Sequence, residues 1–585
     1  MANTRWLPLQ DRDAHDQRRR FGRVAKDSRL AGAAPSALLS GLPPPPPPHL
    51  LFFLLLLSAR SQGSQFLVCN SRDNDTLNAS SNPPETRVVA LQLGKLGLEG
   101  AVGWKALLGL DELKVLNLSQ NSLGGGVSPE LFRLRQLEVL DLSSNRLHGP
   151  IPDAFDGLRK LRWFSGRSNR FNGSLPASLS FCSMLTSLDL GKNFLTGRIG
   201  WLNFTTLPRL RTLRLDSNGF VGRIPRALSS RKELETLNLA KNQLRGRVPW
   251  SFKNLQALSS LSLASNTLSN VSQALKALSQ CRNLTVLVLS ANFFGETLSE
   301  DRIAGFKSLK ALVIANCRLS GSVPSWVRRC AELRLLDLSS NRLGVAIPQW
   351  LGDLVHLFYV DLSNNSFVEV IPEALASLIS LRSPNVSSTD NSAIEFPFHS
   401  RHDRSTEVQY MRFFLIPPTL DLSCNHMNGP ILKGFGKLMG LTVLNLSNNN
   451  FSGSIPEELS GMLRLESLDL SHNNLSGKIP PSLDNLTFLS EFSVAYNHLE
   501  GLVPQSRQFL TFSCLSYEGN PGLYGGPLQS CPALWPGSTD AMEERFRITF
   551  MPLPYGLGVV IGFVPTVVCG SYCAYRRRRK KERRD

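Results

Sequence analysis

From Leu91 onward the apolar positions follow one phrase, Leu-x-x-Leu-x-Leu-x-x-Asn, which returns at a nearly constant step. Inside the phrase, Leu-x-Leu has the period of two expected of a strand with one face buried. The asparagines fall at Asn121, Asn145, Asn169, Asn193, Asn218, Asn242, Asn266 and Asn292, then at Asn341, Asn365, Asn425, Asn449, Asn473 and Asn497; Cys317 takes one such place and Leu96 an earlier, degenerate one. A unit this short cannot bury its leucine face alone, so about sixteen units must stack. The pattern predicts an α/β solenoid, a right-handed superhelix with one parallel strand per unit on its concave face. The leucines point inward, and each asparagine bonds backbone where its strand turns. Strands about 4.8 Å apart give an inner arc of roughly 70–80 Å, which suits a peptide or a protein.

The step breaks once. Between Asn365 and Asn425 it is more than doubled, and the excess, Ser383 to Pro418, reads SPNVSSTDNSAIEFPFHSRHDRSTEVQYMRFFLIPP. An insertion in a solenoid leaves the stack as a loop on one face, often the binding face.

Many units continue into a Gly-x-hydrophobic-Pro phrase: GPIP (149–152), GRIP (222–225), GSVP (321–324), GSIP (453–456) and GKIP (477–480). This second half resembles the plant class of leucine-rich repeats, whose extracellular members are receptors, receptor-like proteins and inhibitors of microbial enzymes. From about Thr86 to Cys531 the chain further resembles the phytosulfokine receptors, through LVIANCRLSGSVPSW, LFYVDLSNNSF, the insert ending FPFHSRHDRSTEVQYMRFFLIPPTLDLS, and FLSEFSVAYNHLEGLVP. That resemblance implies an island domain that holds a disulfated tyrosine pentapeptide against the concave face and recruits a co-receptor kinase. It places peptide-contacting positions on Asn238, Ser262, Ala264, Ser290 and Asp337, with Arg401 in the island, where a fork can bind a sulfate; Phe396 and Phe398 can pack the island against the strands or the peptide. The chain departs from the family at Gly191, where an arginine is expected, at Ala264, where a hydroxyl is expected, and at Ser340, where a tryptophan is expected.

The resemblance also implies cysteine-paired caps. Only Cys69 precedes the first unit; at the other end, in EGNPGLYGGPLQSC, Tyr524 stands where a cysteine is expected, leaving Cys514 as a substitute partner for Cys531. Cys182, Cys281 and Cys330 share one repeat position and read as small buried residues. No C-x-x-C pair is present, and no metal or cofactor is expected.

The ends change the picture. Leu50–Leu57 is an apolar run of signal-peptide length behind an unusually long lead, 1–48, which reads as a misassigned start. Residues 553–575 carry no charge and are long enough to span a bilayer as a helix; RRRRKK follows at once. The positive-inside rule then places the repeats outside the plasma membrane on a single-pass anchor. Gly558, Gly562, Thr566 and Gly570 share one face of that span, a spacing that lets a second membrane helix approach. The formal charge of +18 divides into +4 over residues 1–48, +6 over the last ten residues and +8 between them, so it makes no case for nucleic acid.

Thirteen N-x-S/T sequons, among them Asn74, Asn78, Asn172, Asn203, Asn270, Asn385 and Asn485, fit a secreted glycoprotein. Kinase motifs are absent, and no catalytic constellation replaces them. The expected organisation is 1–63 extension and signal-like segment, 64–85 remnant cap, 86–382 repeats, 383–418 island, 419–504 repeats and 505–535 C-terminal cap. A juxtamembrane segment (536–552), the span (553–575) and a basic tail (576–585) complete it. The reading is a non-enzymatic surface receptor for a sulfated peptide, signalling through a co-receptor or adaptor receptor kinase. An immune receptor-like protein for a microbial ligand, or a truncated or decoy copy of a receptor kinase, would share most of these features.

Overall fold

The computed structural model of the chain describes residues 67–70, 87–298, 303–383, 393–401, 407–412, 415–506 and 508–530. Each Leu-x-Leu becomes a three-residue strand, and the strands pair in parallel, unit upon unit, from Val115–Asn117 to Glu491–Ser493. With Leu67–Asn70 and Arg87–Gln92 they form one 17-stranded sheet among the described residues. Leu67–Asn70 is the exception: it runs antiparallel to Arg87–Gln92 and covers the first unit.

The register leaves no slip between units. Leu188, Leu213, Leu237 and Leu261 stand opposite one another in sequence, and all are fully buried. Each such leucine contributes about 2 kcal/mol of burial, but only when its neighbours on both sides are present.

The asparagines form the predicted ladder. Asn121 Oδ1 accepts from the amides of Leu96 and Leu98, one unit upstream, while its Nδ2 donates to the carbonyls of Leu93 and Leu118. Asn292, wholly buried, does the same between Leu268 and the carbonyls of Leu263 and Leu289. Each side chain therefore ties its own turn to the unit before it. At Cys317 the thiol fills the place at longer range, 3.5 Å from the Asn292 amide. Asn520, inside the C-terminal cap, adds a further rung by accepting from the Leu499 amide and donating to the Val494 carbonyl.

The residue before each ladder asparagine is left-handed, from Gln120 (φ 56) to Tyr496 (φ 55). That costs about 1 kcal/mol at a non-glycine residue, and it persists because the turn keeps its amides bonded to the next unit, as Gln120 to Ser143 and Asn121 to Ser144.

Behind the sheet, the expected α-helices are mostly 3-10 turns. The phrase that ends in proline starts eight of these segments among the described residues, with Pro176, Pro225, Pro249, Pro324, Pro348, Pro372, Pro456 and Pro480 as caps, and leaves room for only one short turn before the next leucine. The unit between Asn266 and Asn292 is longer and lacks that proline; it forms an α-helix, Val271–Leu278. The Gly-x-hydrophobic segments pair laterally in small parallel sheets, such as Thr196–Arg198 with Gly219–Gly222.

Cys182, Cys281, Cys317 and Cys330 are buried and unpaired. Burial pushes the thiols of Cys182 and Cys281 up to about 12 and those of Cys317 and Cys330 up to about 11, so they pack as inert small residues. Cys514 is disulfide-bonded; its Sγ lies 3.7 Å from the carbonyl of Pro527, shortly before Cys531, which falls outside the described residues. No helix among the described residues is long and apolar enough to cross a membrane. The expected span at 553–575, with Gly558, Gly562, Thr566 and Gly570, lies outside them, as do Asn74, Asn78 and Asn385.

Candidate functional site

The insert leaves the stack after Ser383 and rejoins it at Thr419, whose strand pairs directly with Tyr359–Asp361. Within it, Ala393–Arg401 and Glu407–Arg412 form an antiparallel hairpin, with Phe398 opposite Tyr410 and Arg401 opposite Glu407. The first hairpin strand comes within 8 Å of Ser260–Ser262, well upstream in the stack. The hairpin therefore reaches back to a strand well upstream of the unit it follows in sequence.

Four of the expected contact residues lie in that neighbourhood. Asn238 and Ser262 stand in register on adjacent strands. Val288 and Val313 continue the same column, and Asp337 follows. Four strand spacings put Asn238 about 19 Å from Asp337. Ser290 lies just beyond its strand, one outward position over from the column. Asn238, Ser262 and Asp337 are buried, as are Thr236 and Ser260, whereas Thr212 and Arg214 on the preceding strand are half-buried.

Three of these side chains already serve the fold. Asn238 Oδ1 accepts from the Ala240 amide at 3.1 Å, and Asp337 Oδ1 accepts from the Ser339 amide at 3.0 Å and the Ser339 hydroxyl at 2.7 Å. The same two-residue turn recurs down the column at Asn117, Asp141, Asp189, Asp361, Asp421, Asn445 and Asp469. Ser290 Oγ accepts from the Ala315 amide of the next unit. Ser340, in the place of the expected tryptophan, accepts from Asn364 Nδ2.

Two arrangements escaped the sequence reading. Asp337, Asp361 and Asp421 stand directly opposite one another on three consecutive strands, although the whole insert lies between the last two in sequence. Burial raises all three carboxyls, and at Asp361 the charges of Asp337 and Asp421 add to it; Asp361 lies well above the usual range and Asp421 is pushed up to about 6. Their Asp-Leu-Ser phrases look like plain repeat template, so only the register shows that the charges meet.

The second arrangement is an ion cluster on Trp163–Ser165, Ser187–Asp189 and Thr212–Arg214. Arg167 Nη1 and Nη2 donate to the two carboxylate oxygens of Asp216 at 2.9 Å each, and Nη1 also reaches Asp189 at 3.2 Å. Arg214 Nη1 lies 3.9 Å from the other Asp189 oxygen. Burial opposes the charge on Arg167, but Asp216 and Asp189 together outweigh it and raise its pKa. At Asp189 burial wins, and its pKa rises despite the two arginines. A signal was available: Arg167, Gly191 and Asp216 occupy one template position in three successive units.

Of the sequons, Asn172, Asn203 and Asn485 are exposed. Asn270 caps the α-helix in a left-handed conformation (φ 66), its Oδ1 accepting from the Gln273 amide.

Comparison with known proteins agrees with the architecture. The leucine rich repeat family matches residues 111–171, 331–390 and 419–475, and a second leucine rich repeat family matches 233–255. Phytosulfokine receptor 1 of Arabidopsis thaliana is 54% identical over 192 residues, 33% of this chain and 19% of that receptor. Receptor-like protein 3 of the same plant is 40% identical over 196 residues, and phytosulfokine receptor 2 is 47% identical over 176 residues. The matches span 26% and 17% of those relatives, so the chain covers about a quarter of their length or less. Among solved structures, the Arabidopsis receptor kinase HAESA ectodomain with an extended IDA peptide hormone superposes with a TM-score of 0.53 at 29% identity, over 74% of this chain and 70% of that one. A leucine-rich-repeat protein of Leptospira interrogans gives 0.53 at 25% identity, over 70% and 90%.

Proposed function

We propose that this chain, a leucine-rich-repeat protein similar to the plant phytosulfokine receptors, is a cell-surface receptor that binds a sulfated peptide between the insert hairpin and the strand face. The observation that carries this is the return of the hairpin to Ser260–Ser262, which brings the strand bearing Phe398 and Arg401 to the same stretch of sheet as Asn238 and Ser262. A peptide there would meet the column of side chains from Asn238 to Asp337 over about 20 Å, roughly the length of six extended residues.

Charge on the strand face gives the ligand a direction. Toward the C-terminal end it meets Asp337, Asp361 and Asp421, which oppose a sulfate; toward the N-terminal end lie Arg167, Arg214 and the exposed Lys192 and Lys241. The anionic end of the peptide therefore points toward the earlier units. Membrane anchoring by 553–575, pairing through the small-residue face of that span, glycosylation at the exposed sequons and signalling through a partner kinase complete the reading.

Titration of the full chain in detergent with the disulfated tyrosine pentapeptide and its unsulfated form tests it. Tighter binding of the sulfated peptide, weakened by Arg401→Ala, is expected; equal or absent binding of both overturns it. The acidic column favours one other reading, a receptor-like protein for a basic microbial ligand, and a basic peptide that bound where the sulfated one did not would establish that instead.

A further inference from the structure

The cluster around Arg167 is placed where a ligand would pass, yet it is satisfied from within. The Arg167 side chain keeps a quarter of its surface exposed, while the side chains of Asp216 and Asp189 are nine-tenths buried. Gly191 is what admits this arrangement. A Cβ at that position would collide with Arg167 Nη1 and stand 2.6 Å from Asp216 Oδ1, so the missing side chain is the space the ion pair occupies. The planar fork of Arg167 is spent on the two Asp216 oxygens in the geometry with which arginine receives any bidentate oxyanion.

We propose that Arg167 is an oxyanion-binding residue of the strand face held closed by Asp216 and Asp189, so that an aryl sulfate or phosphate reaches it only by displacing an internal carboxylate. The inference rests on the peptide-receptor reading for its ligand class, but not for its geometry. The chain would then discriminate by strength of anion: a singly charged sulfate ester competes weakly with the internal carboxylate, and a dianionic phosphate ester competes better. Lys192, exposed and next to Gly191, is the cation that first meets such a group.

The test uses the full chain in detergent and three small probes: N-acetyl-O-sulfotyrosine amide, the O-phosphotyrosine analogue and unmodified N-acetyltyrosine amide. Asp216→Asn removes the competing charge while keeping an acceptor. It is expected to raise affinity for the sulfo or phospho probe on the order of tenfold, to leave the unmodified probe unchanged, and to make binding weaken with salt. Adding Arg167→Met should abolish the gain. Gly191→Ala, which pushes the same guanidinium out without changing any charge, should give a smaller gain of the same kind and covers the case in which Asp216→Asn does not fold. No gain in either variant, or a gain that survives Arg167→Met, overturns the proposal. Because the probes are single amino acids, failure of the pentapeptide to bind would leave this result intact, and the reverse holds as well.

Discussion

Two stretches of one sheet face handle buried charge in opposite ways. Around Arg167 the acidic groups come with cations, and every carboxylate oxygen of Asp216 has a guanidinium hydrogen bond. Much further along the stack, Asp337, Asp361 and Asp421 stand in a row, and the charges of the outer two bear on the middle one. The turn does not require that charge, since Asn117, Asn238 and Asn445 make the same bond from the same column. Local cost accumulates in these later units in a second way. Most units place glycine in the left-handed position of the Gly-x-hydrophobic phrase, and one uses Asn270, but Val345 (φ 65) and Glu369 (φ 68) occupy it in the two units before the insert. The part of the solenoid from which the insert departs is thus the part that tolerates unfavourable choices.

The comparison can be broken most severely at Arg167. Its removal in Arg167→Ala leaves Asp216 buried without its cation and Asp189 with Arg214 alone, which should cost about 3 kcal/mol, the low end for a broken buried pair because Arg167 is partly exposed. Hydrogen exchange resolved along the chain is the suitable measure, since units of a solenoid open locally; faster exchange confined to the units around Arg167 and Asp216 is expected. Asp216→Asn in the same background should recover part of the loss. Unchanged protection after Arg167→Ala would mean that the cluster is not compensating anything.

Asp361→Asn should act in the opposite direction. The folded carboxyls are raised above their ordinary value near 4, so the fold favours their protonated forms. Their contribution is therefore fully present below about pH 4 and is lost as pH rises through the folded values, with Asp421 near 6 marking part of that window. Replacing the central member with the neutral residue that the column uses elsewhere should stabilise these units by about 2 kcal/mol at pH 7 and by almost nothing at pH 4. Thermal midpoints of native and variant chains at the two pH values check this; parallel pH profiles would show that the three carboxylates do not interact.

Much of this was legible from residues alone. The leucine and asparagine spacing located the strands and the ladder, and the break between Asn365 and Asn425 located the insert. What escaped depended on facts that lie across units. Asp361 and Asp421 meet only because the insert is excised from the register, and Arg167 reaches Asp216, two units on, because Gly191 leaves room. Asn520 read as part of a cap, although in space it continues the ladder. The candidate contacts Asn238 and Asp337 present the converse problem. Both stand in the expected column, yet the turn bond each makes is one that the other asparagines and aspartates of that column make, so residue type alone could not separate a ligand contact from a structural one.

The finest distinction between the two stretches lies at Val345. A β-branched residue in the left-handed region is strained in a way that glycine is not, and nothing in the repeat needs a side chain there, since Val345 is 65% exposed. If the strain is merely tolerated, Val345→Gly should stabilise the unit by about 1 kcal/mol, the relief of the backbone less the extra freedom of glycine in the unfolded chain. If the exposed valine instead supports what the later units hold, the same substitution should weaken pentapeptide binding while stability rises. Measuring both on one variant separates these cases: a gain in stability with unchanged binding assigns the strain to drift, whereas opposed changes assign it to the insert-bearing half of the sheet. No gain in stability would show that the left-handed valine costs the fold nothing, and the contrast between the two stretches would then rest on charge alone.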